Sequence, residues 1–254
     1  VRIKRLWTRL AACFGRGLLF FCDRCQACSG LLPEPGRGHP LCPACAARLA
    51  PRQGGYCPRC GAMVEDAAAP PSLCLDCRRM GRSWDGFAFH GRYEGLLRDM
   101  ILGFKFHGQL GQGRLLGGLL TEACLRAAAR SGDGALAPQG PDCIVPIPLH
   151  PRRLSWRGFN QSLELARCLG RSLHRPVRHD ALTRIRNTTP QSRLPGSERL
   201  TNIQGAFCGN PDAVAGRRVL LVDDVMTTGA TVDTAVRALR RAGAVRVDVA
   251  VVAR

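Results

Sequence analysis

The chain has 254 residues, 45% of them hydrophobic and 22% charged. These values are ordinary for a globular protein of one or two domains and exclude global disorder or a membrane-embedded bundle. Two quantities are unusual: a formal net charge of +18 and 14 cysteines. Such a charge points to an anionic partner (nucleic acid, a phosphorylated metabolite or an anionic membrane surface), or else to a solvated basic face. All but two of the 37 basic residues are Arg, the exceptions being Lys4 and Lys105.

Residues 1–21 predict an amphipathic helix. Leu6, Leu10, Phe14, Leu18 and Phe21 recur at helical spacing, with Arg2, Arg5, Arg9 and Arg16 around them. The apolar stretch ending at Phe21 and Cys22 is too short to cross a membrane, and its arginines argue against a signal peptide.

Residues 22–80 form the next segment, rich in Cys, Pro and Gly and poor in hydrophobic periodicity. Eight cysteines fall there in four C-x-x-C pairs: Cys25/Cys28, Cys42/Cys45, Cys57/Cys60 and Cys74/Cys77. Thirteen residues separate the first pair from the second, and thirteen separate the third from the fourth. Two thiolates at this spacing can face one metal from a tight turn, and four complete the closed tetrahedral shell of a structural Zn²⁺. The segment is therefore predicted to be a double zinc-ribbon domain holding two zinc ions in a reducing, cytoplasmic setting. Two pairings stay open: first pair with second and third with fourth, or first with third and second with fourth. Gly30 and Gly61 are the expected tight-turn residues. Cys13, Cys22, Cys124, Cys143, Cys168 and Cys208 follow no pattern and are expected to be buried thiols.

The third segment, 84–254, alternates helical and strand patterns. Helices are predicted over 92–106, 110–130, 160–173 (capped by Asn160) and 231–242, the last ended by Gly243. Apolar runs at 143–148, 219–222 and 245–252 predict strands of the parallel-sheet kind. Together they imply an α/β fold with a parallel sheet flanked by helices. The polar stretch 184–204 reads as a flap able to close over a ligand, or as a solvated loop.

The run Val219-Leu220-Leu221-Val222-Asp223-Asp224-Val225-Met226-Thr227-Thr228-Gly229-Ala230-Thr231 carries the most chemistry. A buried strand delivers two carboxylates to its C-terminal end, where ligands bind in parallel sheets. Hydroxyl residues and a glycine then open a helix, whose free N–H groups favour phosphate. The two Asp side chains suit sugar hydroxyls, or a Mg²⁺ bridging sugar and pyrophosphate oxygens. The run resembles the phosphoribosyl-pyrophosphate signature of type I phosphoribosyltransferases, with Ala230 where that family usually has a second glycine. By that resemblance Asp223 and Asp224 hold the ribose hydroxyls, and Thr227, Thr228, Gly229, Ala230 and Thr231 cradle the 5′-phosphate. Asp224 is then the candidate general base.

Further motifs extend the resemblance. Val145-Pro146-Ile147-Pro148-Leu149-His150 is followed by Arg152, Arg153 and Arg157-Gly158-Phe159-Asn160-Gln161. Arg184-x-Arg186-x-Thr188-x-x-Gln191-x-x-Leu194 precedes Arg199, Asn202 and Ala206-Phe207, and Phe104-Lys105-Phe106-His107-Gly108 lies upstream. With the cysteine pairs, these resemble the ComF family, whose best-known members belong to competence and DNA uptake. The resemblance implies a phosphoribosyltransferase-like protein that binds phosphoribosyl pyrophosphate with Mg²⁺ and releases pyrophosphate if it is active. Arg152, Arg153, Arg157 and Lys105 are the candidate cations for the leaving group. A zinc-containing accessory protein binding single-stranded DNA and DNA-uptake proteins is the alternative.

Overall fold

The computed structural model describes residues 24–32, 40–106, 109–130, 136–137, 139–186, 203 and 205–254. The helix expected over 1–21 and most of the stretch 184–204 lie outside them. The chain divides into two compact units, Val1–Leu49 and Ala50–Arg254. This division falls inside the cysteine-rich segment, so the second half of that segment shares a unit with the sheet.

In the first unit, the short helix α1 (Pro43–Arg48) starts directly after Cys42, with Pro at its first turn. Its one buried residue is Cys45. The second unit begins with the equivalent knuckle and helix α2 (Leu75–Arg79), which starts after Cys74 and buries Cys77. The knuckle turns are equivalent: Cys25 N–H donates to Gly30 O, and Cys57 N–H donates to Ala62 O. The left-handed residue in each lies four after the first cysteine, at Ser29 (φ 60°) and Gly61 (φ 68°). Gly61 is thus the expected turn residue, whereas in the first knuckle Ser29 takes that conformation and Gly30 does not.

The sheet contains β1 (Phe87–Gly91), β2 (Cys143–Pro146), β5 (Arg218–Val225) and β6 (Arg246–Ala253). Its order is β1-β6-β5-β2 and every pairing is parallel. Strands β2, β5 and β6 are rich in aliphatic residues and largely buried on both faces, which is why they read as apolar runs. Strand β5 runs past the apolar stretch through Asp223, Asp224 and Val225, because Val225 still pairs with Ala253. The carboxylates therefore belong to the last residues of the strand itself.

Helix α4 (Leu110–Ala128) packs on α3 (Gly95–Phe106), on α6 (Gln161–Leu173) and on β1 and β6, while α6 packs on β2 and β5. Helix α8 (Ala230–Arg241) packs on β6 and on a small antiparallel pair, β3 (Leu182–Arg184) with β4 (Phe207–Gly209). Two short helices complete the unit: α5 (Pro151–Arg157) and α7 (Pro211–Val214). The core beneath α8 joins Phe87, Val145, Leu221 and Val249 of the sheet to Tyr56, Cys57, Cys60, Cys77 and Trp84. An aromatic row continues this junction. Tyr56 meets Phe89 edge-on at 5.1 Å, Phe89 stacks on Phe87 at 5.7 Å, and Phe87 lies 6.3 Å from Trp84.

Among the unpatterned cysteines, Cys124 and Cys143 are buried as expected. Cys168 is half-buried and Cys208 is exposed, because β4 is a short outer strand that turns alternate residues to solvent. Cys13 and Cys22 lie outside the described residues. Among the described residues no helix is long and apolar enough to cross a membrane.

Candidate functional site

Two clusters of sulfur define the first kind of site. Cys25, Cys28, Cys42 and Cys45 form one tetrad, and Cys57, Cys60, Cys74 and Cys77 the other. Within each, all four Sγ atoms lie within 4.8 Å of one another. The grouping is sequential, first pair with second and third with fourth, which excludes the interleaved pairing. The Cys28–Cys42 and Cys60–Cys74 sulfurs are 3.9 Å and 3.7 Å apart. A tetrahedral zinc with Zn–S bonds of ~2.3 Å has edges of ~3.8 Å, so the donor sets fit that ion. Arg82 Nε lies 3.3 Å from Cys77 Sγ and donates to it, the outer contact a thiolate ligand uses to spread its charge.

The second site forms where β5 ends. Asp223 Oδ1 accepts from Ser162 Oγ at 2.9 Å and from the Asp224 N–H at 2.9 Å. Ser162 is placed by the start of α6, where Asn160 caps the helix by accepting from the Ser162 N–H. Asp224 is buried, and Lys105 Nζ of α3 reaches its Oδ1 at 2.9 Å. Its second oxygen, Oδ2, is buried without a hydrogen-bond partner. An orphaned carboxylate oxygen of this kind is costly unless a ligand supplies a donor or a cation. Burial, then the neighbouring Asp224 charge, pushes the Asp223 carboxyl up to about 7 against the pull of Lys105 and Ser162.

Arginines approach these carboxylates from two directions. Arg157, at the end of α5, donates to Gln161 Oε1 at 2.7 Å and lies over the Phe106 ring at 4.8 Å. Burial depresses its pKa while Asp224 and Asp223 oppose that shift. Arg184 on β3 is buried against Phe207, and its pKa falls to about 10 through burial and the Arg153 charge, with Asp223 pulling back. Arg153, half-buried on α5, feels the Arg157 charge in turn. Three guanidinium groups thus share one field with two carboxylates, as suits a polyanion. Helix α5 owes its position to sequence: Pro151 opens it, His150 caps it, and Gly158 ends it at φ 81°.

Beyond Val225 the chain turns through Met226, Thr227, Thr228 and Gly229 into α8. Gly229 is the N-cap at φ 85°, a conformation that a side chain would strain. Thr227 and Thr228 are exposed, Thr231 is half-buried, and Ala230 begins the helix one residue before the expected start. The Ala230 N–H faces Thr228 Oγ1 at 3.4 Å.

Of the expected residues, the structure therefore brings together Asp223, Asp224, Lys105, Arg153 and Arg157, with 227–231 continuing from the same strand. Arg152 stands exposed on α5, its N–H turned to His150 Nδ1. Ser162 and Arg184 join the site from outside the set of expected residues. Only the Arg184-x-Arg186 motif hinted at the second, and nothing local marks the first.

A Phosphoribosyl transferase domain matches residues 164–254, which hold β5, the 226–229 turn and α8. The chain is similar to Competence protein F of Haemophilus influenzae, with 33% identity over 91% of this chain and 96% of that one. It is 34% identical to DNA utilization protein YhgH of Escherichia coli K12, covering 82% and 88%. It is 29% identical to Competence protein ComFC of Bacillus subtilis, covering 80% and 79%. The sheet-bearing unit is thus of the phosphoribosyltransferase class. The chain belongs to the Competence protein F family.

Proposed function

We propose that the chain binds phosphoribosyl pyrophosphate with Mg²⁺ at the end of β5, and that it acts in competence and DNA uptake. One observation carries the reading: Asp223 and Asp224 converge with Lys105, Arg153, Arg157 and Arg184, ahead of a hydroxyl-rich turn that opens a helix. Asp223 and the orphaned Asp224 Oδ2 accept from the ribose hydroxyls. Thr227, Thr228, Gly229, Ala230 and Thr231 receive the 5′-phosphate through hydroxyls and N–H groups. The arginines and Lys105 hold the pyrophosphate and stabilise its charge as it leaves.

The same carboxylates, directly or through water, would hold Mg²⁺, which when bound neutralises pyrophosphate oxygens. If phosphoribose is transferred, the base is one of the same two carboxylates, of which burial and the Asp224 charge raise Asp223 toward neutral pH. The eight cysteines hold two structural Zn²⁺ ions. Phosphorus NMR of phosphoribosyl pyrophosphate tests the reading. All three phosphorus resonances should shift or broaden with protein and Mg²⁺, and unchanged spectra would overturn it.

A second reading rests on a separate observation. Trp156 is 74% exposed and lies 6.2 Å from the half-exposed Phe106 ring, beside Arg152, Arg153 and Arg157. Aromatic faces among cations suit unpaired bases and phosphates, which supports single-stranded DNA binding on the same face. Its affinity should fall with salt at a slope of about −0.7 per phosphate contacted.

A further inference from the structure

The cysteine tetrad of the second unit and the turn after β5 are far apart in sequence but mechanically joined. Arg254 Nε donates to the carbonyl of Cys60, a member of the tetrad, at 2.9 Å. The same guanidinium donates through Nη1 to the carbonyls of Met226 (3.3 Å) and Thr227. A second tether runs parallel to the first. Trp84 Nε1 donates to Arg59 O at 2.7 Å, one residue before Cys60. The ring of Trp84 also backs Gly229: a Cβ there would lie 3.4 Å from its edge. Trp84 is almost wholly buried, so this wall is fixed.

Peptide geometry gives the tethers a consequence. In a planar trans peptide the N–H of residue i+1 points opposite to the C=O of residue i. Holding the Met226 and Thr227 carbonyls toward Arg254 turns the Thr227 and Thr228 N–H groups the other way, toward the open side of the turn. Those are donors a phosphate needs, pre-aimed rather than free to rotate.

We propose that Arg254 and Trp84 are positioning residues through which metal at Cys57, Cys60, Cys74 and Cys77 sets the shape of the 226–229 turn and its phosphate affinity. This rests on the phosphoribosyl-pyrophosphate reading for the ligand, but the coupling itself does not. Bound metal fixes the 57–60 knuckle and hence the Cys60 and Arg59 carbonyls. Without metal the knuckle relaxes, the tethers slacken and the turn loses its orientation. Binding is reciprocal, so ligand on the turn must in turn retain metal.

Hydrogen exchange of the full chain, zinc-loaded and after chelation, tests the coupling without any ligand. Chelation should speed exchange of the 227–231 amides about tenfold, while β5 and β6 stay protected. Arg254→Met should show the fast turn even when loaded, and Arg254→Lys should restore part of the protection. The double variant Cys28→Ser/Cys42→Ser, which removes only the first tetrad, should keep the wild-type response. In parallel, phosphoribosyl-pyrophosphate affinity should fall about tenfold on chelation in the wild type and clearly less in Arg254→Met, where only the Trp84 tether remains. Equal exchange at 227–231 in loaded and stripped wild type overturns the coupling. A loaded wild type that shows the exchange response yet binds no phosphoribosyl pyrophosphate overturns the ligand reading and leaves the coupling intact.

Discussion

Replacing Asp223 with Asn should make the ligand-free protein more stable while destroying its site. The amide keeps the shape, and its oxygen can still accept from Ser162 Oγ and the Asp224 N–H. What it removes is a charge that burial and Asp224 disfavour, as the rise to about 7 records. The sign follows from linkage. The unfolded carboxyl ionises at ~3.9, so between pH 4 and 7 the folded chain holds the extra proton and stability falls as pH rises. A shift of ~3 units sets a ceiling of ~4 kcal/mol on that loss. Asp223 keeps some contact with solvent, so about 2 kcal/mol is the expected gain for the Asn variant at pH 8. For a unit of this size that is ~4–8 °C in melting temperature. A gain of ~2 kcal/mol corresponds to an effective shift of ~1.5 units, so at pH 5, where wild-type Asp223 is mostly protonated in the folded state, the gap should shrink to about two-thirds. Thermal melts of both proteins without ligand, at pH 8 and pH 5, read this directly. A variant that melts no higher than wild type at pH 8, or a gap that does not narrow at pH 5, refutes the reasoning.

Other outcomes follow from the same geometry. Lys105→Met leaves Asp224 buried without its cation and should cost ~3 kcal/mol; adding Asp224→Asn should recover much of that in a double-mutant cycle of melts. Thr228→Val should weaken phosphoribosyl-pyrophosphate binding by ~1–3 kcal/mol in titration calorimetry, since a donor is lost and a methyl added beside the phosphate. Purified protein should carry about two zinc ions by elemental analysis, one per tetrad; a folded, reduced protein with none contradicts the metal assignment. Ser29→Gly should raise the stability of the first knuckle by ~1 kcal/mol, measured as resistance to chelation, because Ser29 is held at positive φ.

The parts of the fold with strong local signals were legible. Helices α3, α4, α6 and α8 carry apolar stripes, and Asn160 and Gly243 mark two of their ends. Strands β2, β5 and β6 read as apolar runs because both faces are buried. Strand β1 did not: Phe87–Gly91 is short, and its strand character comes from pairing with β6 near the other end of the chain. The extension of β5 through Asp223 and Asp224 is likewise a matter of the ladder to β6, which apolar patterning does not report. The matched spacing of the cysteines gave the tetrads, but not that the second shares its core with the sheet. At the site, the motif named the carboxylates and the turn. Their partners Lys105, Ser162 and Arg184 come from three elements, and only the fold brings them together.

The central claim is that the end of β5 holds a sugar pyrophosphate through its two carboxylates. Calorimetric titration of phosphoribosyl pyrophosphate into wild type and into the Asp223→Asn/Asp224→Asn variant, at matched Mg²⁺ and with a circular-dichroism melt as folding control, tests it most directly. The account predicts saturable, Mg²⁺-dependent binding to wild type and its loss in a variant that remains folded. Unchanged affinity in that variant would contradict it.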